Sequence, residues 1–319
     1  MAEKIPPYIR ISDDVLRALE LNQPLVALES TVITHGLPFP DNLSLAEDME
    51  SEVRRQGANP ATIALLDGKL QVGLDAQQRE RLASSKEGLL KVSLRDIAPG
   101  IVRLASGGTT VAGTLFVAHK VGIQVFATGG IGGVHFELNP RRSKASFDIS
   151  ADLPALGRLP LIVVCAGAKA ILDLGATLEY LETWGVPVIG YQTDDFPAFY
   201  SRTSGYKTSA KANTPEEAAA IALTHWSLGM QSAVLVTAPP PEEVALSSEE
   251  VKEAVRTALK QALAEKISGQ EVTPYLLQKV NEYTGGLTLR ANLGLLLNNA
   301  RLASQIARAL ALMKPRFNG

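Results

Sequence analysis

Three charged side chains interrupt apolar runs of this sequence. Glu29 sits in VALEST, a carboxylate inside an otherwise apolar segment. Ionising it there is costly without a partner. The position suits a structural ion pair, or a general acid/base whose pKa burial has raised. Lys169 follows IVVCAG, where the spacing places it at the opening of the next helix. The positive end of a helix dipole disfavours an ammonium group, so this placement predicts a lowered pKa and a usable amine nucleophile. A lysine snorkelling to solvent fits the same spacing. Lys91, in LLKVSLRD, ends another short apolar run. Two lysines at one pocket suit a phosphate plus an amine nucleophile. Cys165, inside its run, reads as a small buried hydrophobe.

Backbone-rich segments accompany these side chains. Gly129-Gly130-Ile131-Gly132-Gly133 follows an apolar run and permits close backbone approach to a ligand. It is a poor dinucleotide fingerprint, because His135 occupies the third glycine position. SGGTTVAGT (106–114) offers hydroxyls and amides at a helix start, a candidate anion site. FDISAD (147–152) places Asp148, Ser150 and Asp152 at another helix start, where local pattern favours N-capping. The 4 histidines form no HxxxH or HExxH pair, and the single cysteine excludes a Cys-rich zinc site. A hard cation held by one carboxylate and waters leaves no motif and stays open.

Elements of alternating period must position these groups. Apolar runs at 24–34, 89–93, 123–128, 160–167, 186–191 and 232–241 read as strands. Asp67-Gly68 within 61–73 marks a hairpin. Helical patterns cover 43–57, 109–121, 168–185 and 215–229, DAQQRERLASSK reads as a further helix, and the last stretch is mostly helical, with a long helix over 288–312. Strands that are apolar throughout predict an α/β fold: a mostly parallel central sheet with helices on both faces, a three-layer αβα arrangement, and a helical C-terminal extension. With no linker or repeat, 1–319 reads as a single domain.

The chain has 319 residues, 46% hydrophobic and 20% charged, with a formal net charge of −2. That balance excludes a disordered chain and offers no field for nucleic acid or an anionic membrane. The N-terminus mixes charge and proline before any apolar run, and no apolar stretch is long enough to span a bilayer. A cytoplasmic protein is the expectation.

Taken in order, VALESTVITHGLPFPDN, PATIAL, KVSLRD, TTVAGT, FATGGIGGVH, FDISADL, VCAGAKAILDLG, TLEYLETWGVPVIGYQTDDFPAFY and ANLGLLLNNARLAS resemble the pseudouridine-5′-phosphate glycosidase, or indigoidine synthase A-like, family over about residues 10–310. The resemblance implies reversible cleavage of the C–C glycosidic bond of pseudouridine 5′-phosphate to uracil and ribose 5-phosphate. It also implies a homotrimer with one Mn²⁺ per subunit, mostly water-coordinated. Glu29 takes the proton-donor place and Lys169 the nucleophile place, forming an imine with ring-opened ribose. Lys91, Val111, His135, Ser150, Ala151, Asp152 and Asn292 take substrate places, and Asp148 the metal place. One segment departs from the family. Phe136 stands where the family has arginine after GGVH, and FELNPRRSKAS is longer. Arg141, Arg142 and Lys144 are candidates to replace that arginine, in a mobile basic loop over 136–147 that covers the phosphate. Two other readings keep the pocket: another imine-forming lyase or aldolase acting on a sugar phosphate, and a non-catalytic sugar-phosphate sensor.

Overall fold

A computed structural model describes residues 5–85, 88–136, 148–267 and 272–317. The elements run β1 (Ile9–Ile11), α1 (Asp13–Glu20), β2 (Leu25–Glu29), α2 (Thr31–His35), α3 (Asp41–Arg55), β3 (Asn59–Leu66), β4 (Lys69–Val72), α4 (Ala76–Ser84), β5 (Leu90–Val92), α5 (Leu94–Val102), β6 (Gly107–Thr109), α6 (Val111–Val121), β7 (Val125–Ala127) and α7 (Asp152–Leu156). There follow β8 (Ile162–Cys165), α8 (Leu174–Thr183), β9 (Val188–Tyr191), β10 (Ala210–Ala212), α9 (Pro215–Ser227), β11 (Val234–Thr237), α10 (Ser248–Ala264), α11 (Val272–Tyr283) and α12 (Leu287–Phe317).

The strands form one sheet in the order β1-β4-β3-β2-β7-β8-β11-β9-β10, with β6 bridging β3 and β5. Pairing is parallel except where β4 and β6 run against β3. The central strands are buried along their whole length: Ile162–Cys165 and Val234–Thr237 contain no exposed residue. Strands covered on both faces need apolar residues at every position, which is why they read as runs rather than alternations. On one side α12 packs along β2, β7 and β8 and against α3 and α9. Elsewhere α6 packs on β2 and β3 and touches α5 and α7. The mostly parallel three-layer arrangement expected from the sequence is therefore present, and the C-terminal helix is one of its layers.

Boundaries differ in places that matter. The run at 24–34 is a strand only to Glu29; Thr31–His35 is helical, with the Ile33 and Thr34 amides donating to the Ser30 carbonyl. Burial of Ile33 beside Ala46, Leu66 and Leu82 overrides the β preference of TVIT. The predicted helix over 168–185 shrinks to Leu174–Thr183, because Asp173 is its N-cap and accepts from the Ala176 amide at 3.0 Å. Thr109 belongs to β6 rather than to the following helix, whose N-cap is Thr110. Helix α5, unexpected around Pro99, starts from a capping box between Ser93 and Asp96. The short strands β1 and β10 carry too few residues for a pattern to register.

One buried charge ties α3 to α12. Glu52 of α3 is 2% exposed and accepts from Arg301 Nε of α12 at 2.7 Å and from Gln56 at 3.1 Å. Arg55 pairs with it at 2.7 Å. Burial pushes this carboxyl up, but Arg301, Gln56 and Arg55 outweigh it and hold the pKa below the usual range. A lowered carboxyl pKa stabilises the fold above the unfolded value and loses that contribution as pH falls through the folded value. Arg301→Met should cost about 1–3 kcal/mol in urea unfolding at pH 7, from the stranded acceptor. The gap to the wild type should narrow at acidic pH. Equal stability of the two proteins at pH 7 would count against this role.

Candidate active site

In a parallel sheet, ligands bind beyond the carboxyl ends of the strands. The ends of β2, β5 and β8, with the turns after β6 and β7, here surround a cavity of about 500 Å³. Glu29, Lys91, Val111, His135, Asp148, Ser150, Ala151, Asp152 and Lys169 all line it. Residues brought together from so far apart in the chain share no local motif. Thr110, within the candidate anion site read at 106–114, lines it too, as do Thr31, Ser93, Arg95 and Thr273, which sequence reasoning did not single out because isolated polar residues carry no pattern. Asn292, five residues into α12, is half-buried and not part of this lining.

Glu29 ends β2. Its two carboxylate oxygens accept from the hydroxyls of Thr31 and Thr128. Neutral donors, not an arginine or lysine fork, therefore orient it. Lys169 is not at a helix start, as the spacing had suggested. It lies in an extended connection, with its amide donating to the Ile131 carbonyl at 3.1 Å and Ala168 bridging Ile131. The helix dipole does not act on its ammonium group in the manner expected. Gly167 makes the turn that brings it there. Its φ is +88°, and a Cβ would stand 2.3 Å from the Pro197 carbonyl oxygen.

Lys91 faces several charges. Burial pushes its pKa down and the neighbouring Lys169 adds to this, while Asp152 and Glu29 pull the other way. His135 is pushed down by burial and by Lys169 and Lys91, against Asp148. The Cys165 thiol is fully buried and pushed up to about 12, which leaves it inert and fits the packing role read from the sequence.

Asp152 departs from its expected N-capping role. It is the first residue of α7, a helix without a side-chain cap. Its Oδ1 accepts from the Ala112 amide at 2.9 Å and its Oδ2 from the Gly132 amide at 2.8 Å. Gly132 leaves room for this approach: a Cβ there would stand 2.2 Å from Ser150 Oγ. The stretch 131–135 also pairs with 148–150, through His135 N to the Asp148 carbonyl at 2.9 Å and Ser150 N to the Gly133 carbonyl at 3.0 Å. This pairing sets Asp148 beside His135 at the cavity. Arg141, Arg142, Lys144 and the proposed loop beyond Phe136 lie outside the described residues. Phe136 itself lines an adjoining cavity of about 640 Å³ with Leu172 and Tyr206.

Among the described residues no three His, Cys, Asp or Glu side chains stand together as a metal cage. The donors that share the cavity wall, the Asp148 carboxylate and the His135 ring, fit a hard cation that keeps most of its waters. The cavity can thus bind an anion through Lys91, Lys169 and Arg95, and offers a carboxylate, an imidazole and an amine for proton transfer and covalent attack.

The family profile described as indigoidine synthase A like protein matches residues 14–309. Curated relatives named pseudouridine-5′-phosphate glycosidase include those of Myxococcus xanthus, 51% identical over 95% of this chain and 98% of its own, and Petrotoga mobilis, 47% identical over 95% and 97%. Among solved structures, a prealnumycin C-glycosynthase in complex with ribulose 5-phosphate superimposes with a TM-score of 0.89 at 40% identity, covering 98% of this chain and 99% of that one. An indigoidine synthase A-like protein of Thermotoga maritima gives 0.84 at 34% identity over 95% and 96%. The fold, the strand-end cavity and these matches place the chain in the indigoidine synthase A-like family.

Proposed function

We propose that this protein is a glycosidase that reversibly cleaves the C–C glycosidic bond of pseudouridine 5′-phosphate to uracil and ribose 5-phosphate. The convergence of Glu29, Lys91, Asp148 and Lys169 on one cavity carries this reading, and the names of the relatives support it. A C–C glycosidic bond has no heteroatom whose protonation releases the base. The bond from C1 to the ring oxygen breaks and the Lys169 amine bonds to C1 of the opened ribose. The nitrogen lone pair then forms the imine as the C1–uracil bond breaks, its electron pair passing to uracil, whose carbon is protonated. Water hydrolyses the imine to ribose 5-phosphate and free lysine. Glu29 moves the proton between the sugar ring oxygen and the uracil carbon. Lys91 and Arg95 hold the phosphate, whose negative charge offsets the mutual repulsion of Lys91 and Lys169. Asp148, with His135 beside it, would hold Mn²⁺, which when bound would supply charge stabilisation to the departing uracil. The chain acts as a single domain of a cytoplasmic homotrimer. No described helix is long and apolar enough to cross a membrane.

Release of uracil from pseudouridine 5′-phosphate, followed by chromatography, tests the reading directly. Borohydride with ribose 5-phosphate should add a sugar-phosphate mass to the wild type and not to Lys169→Ala. Glu29→Gln should lower kcat by about 10²–10⁴-fold. An adduct and normal turnover in Lys169→Ala would remove the lysine from the mechanism.

Oxygen-rich, water-rich coordination binds weakly, so a chelator should abolish activity, and Mn²⁺ should restore it better than Zn²⁺. Full turnover with no metal detected after exhaustive chelation would refute the metal.

Lys91 gives a prediction of opposite sign to Glu52. A base whose folded pKa lies below its unfolded value destabilises the fold while it is charged, and that cost fades as pH rises through the folded value. Lys91→Met should therefore melt at a higher temperature than the wild type at pH 7, with the difference shrinking toward pH 10, while KM for the nucleotide rises. A lower melting temperature at pH 7 would contradict this.

A further inference from the structure

The orientation of Glu29 rests on Thr128, and the orientation of Thr128 rests on the far side of the sheet. Thr128 is fully buried just past the end of β7. Its hydroxyl donates to Glu29 and its amide donates to the Val164 carbonyl at 3.0 Å. Its carbonyl accepts from Asn299 Nδ2 at 2.9 Å, and the same amide group reaches the Gly129 carbonyl at 3.3 Å. Asn299 belongs to α12, two turns beyond Asn292. It is fully buried among Leu295, Leu296, Ala300 and Ala303. Its Oδ1 is buried with no hydrogen-bond partner. A leucine or alanine would pack this helix face without an unsatisfied oxygen, so packing alone does not explain an asparagine here. Its two donor contacts fall on the residues that begin the glycine run and hold the carboxylate.

We propose that Asn299 is a positioning residue: from α12 it fixes the Thr128–Gly129 backbone and, through the Thr128 hydroxyl, the orientation of Glu29. The proposal rests on Glu29 acting as the acid/base of the reaction above. Asn299 does not line the cavity. It acts on the step whose rate depends on where the Glu29 proton is held, because small displacements of a catalytic group are expensive in rate.

A double-mutant cycle on the full-length enzyme tests this, with uracil release as the assay. Thr128→Val, which keeps the shape and removes the hydroxyl, should lower kcat about 10–100-fold. Asn299→Leu should lower it about tenfold, with KM within about threefold of wild type, as expected for loss of a transition-state contact. Thr128→Ser should restore most of the loss. If Asn299 acts through Thr128, the double variant loses little more than Thr128→Val alone. Losses that multiply, or a raised KM with unchanged kcat, would overturn the assignment. Asn299→Ser replaces Asn299→Leu in the cycle, under the same criteria, if the leucine variant does not fold. A wild type that releases no uracil removes the functional reading and this assignment with it. A wild type that turns over alongside a multiplicative cycle removes this assignment alone.

Discussion

A buried carboxylate must find donors, and the way Asp152 finds them organises the site. Its two oxygens take backbone amides from two separate segments, Ala112 at the start of α6 and Gly132 in the turn after β7. The amide at Ala112 is one of those that an α-helix leaves unpaired at its start, and a carboxylate there also meets the positive end of the dipole. One side chain thereby fixes the distance between the turn after β6 and the turn after β7. Lys91, on the strand that pairs with β6, and His135, at the end of the glycine run, are placed by that distance.

The same logic recurs at smaller scale. Ser30 Oγ donates to the Ile63 carbonyl and accepts the Thr109 amide, and Thr109 Oγ1 donates to that same carbonyl. These hydroxyls join β2, β3 and β6 immediately below Glu29. Hydroxyl-bearing residues at the strand ends thus satisfy backbone groups that the sheet no longer pairs. Catalytic charge is left to a few side chains above them.

Much of the architecture was legible because parallel strands buried on both faces must be apolar throughout, and residues 160–167 and 232–241 could be little else. The Asp67-Gly68 turn was legible for a local reason, since Asp67 and Gly68 both take positive φ. Glu29, Lys91 and Lys169 were legible as charges interrupting such runs. The start of α8 was not, because AKAILDLG has good helical composition and only the Asp173 cap moves the boundary. The bridging by Asp152 was not legible either: its partners lie 20 and 40 residues away, and FDISAD alone looks like a cap. Thr128 and Asn299 were missed because hydrogen bonds across 171 residues leave no trace in spacing.

The short pairing of 131–135 with 148–150 has a bearing on how such a protein can change. The backbone bonds at His135–Asp148 and Gly133–Ser150 clamp both feet of the intervening connection. Loop-closure entropy grows only with the logarithm of length, so lengthening that connection costs little once its feet are fixed. Changes in length between these feet can therefore accumulate while His135 and Asp148 keep their register.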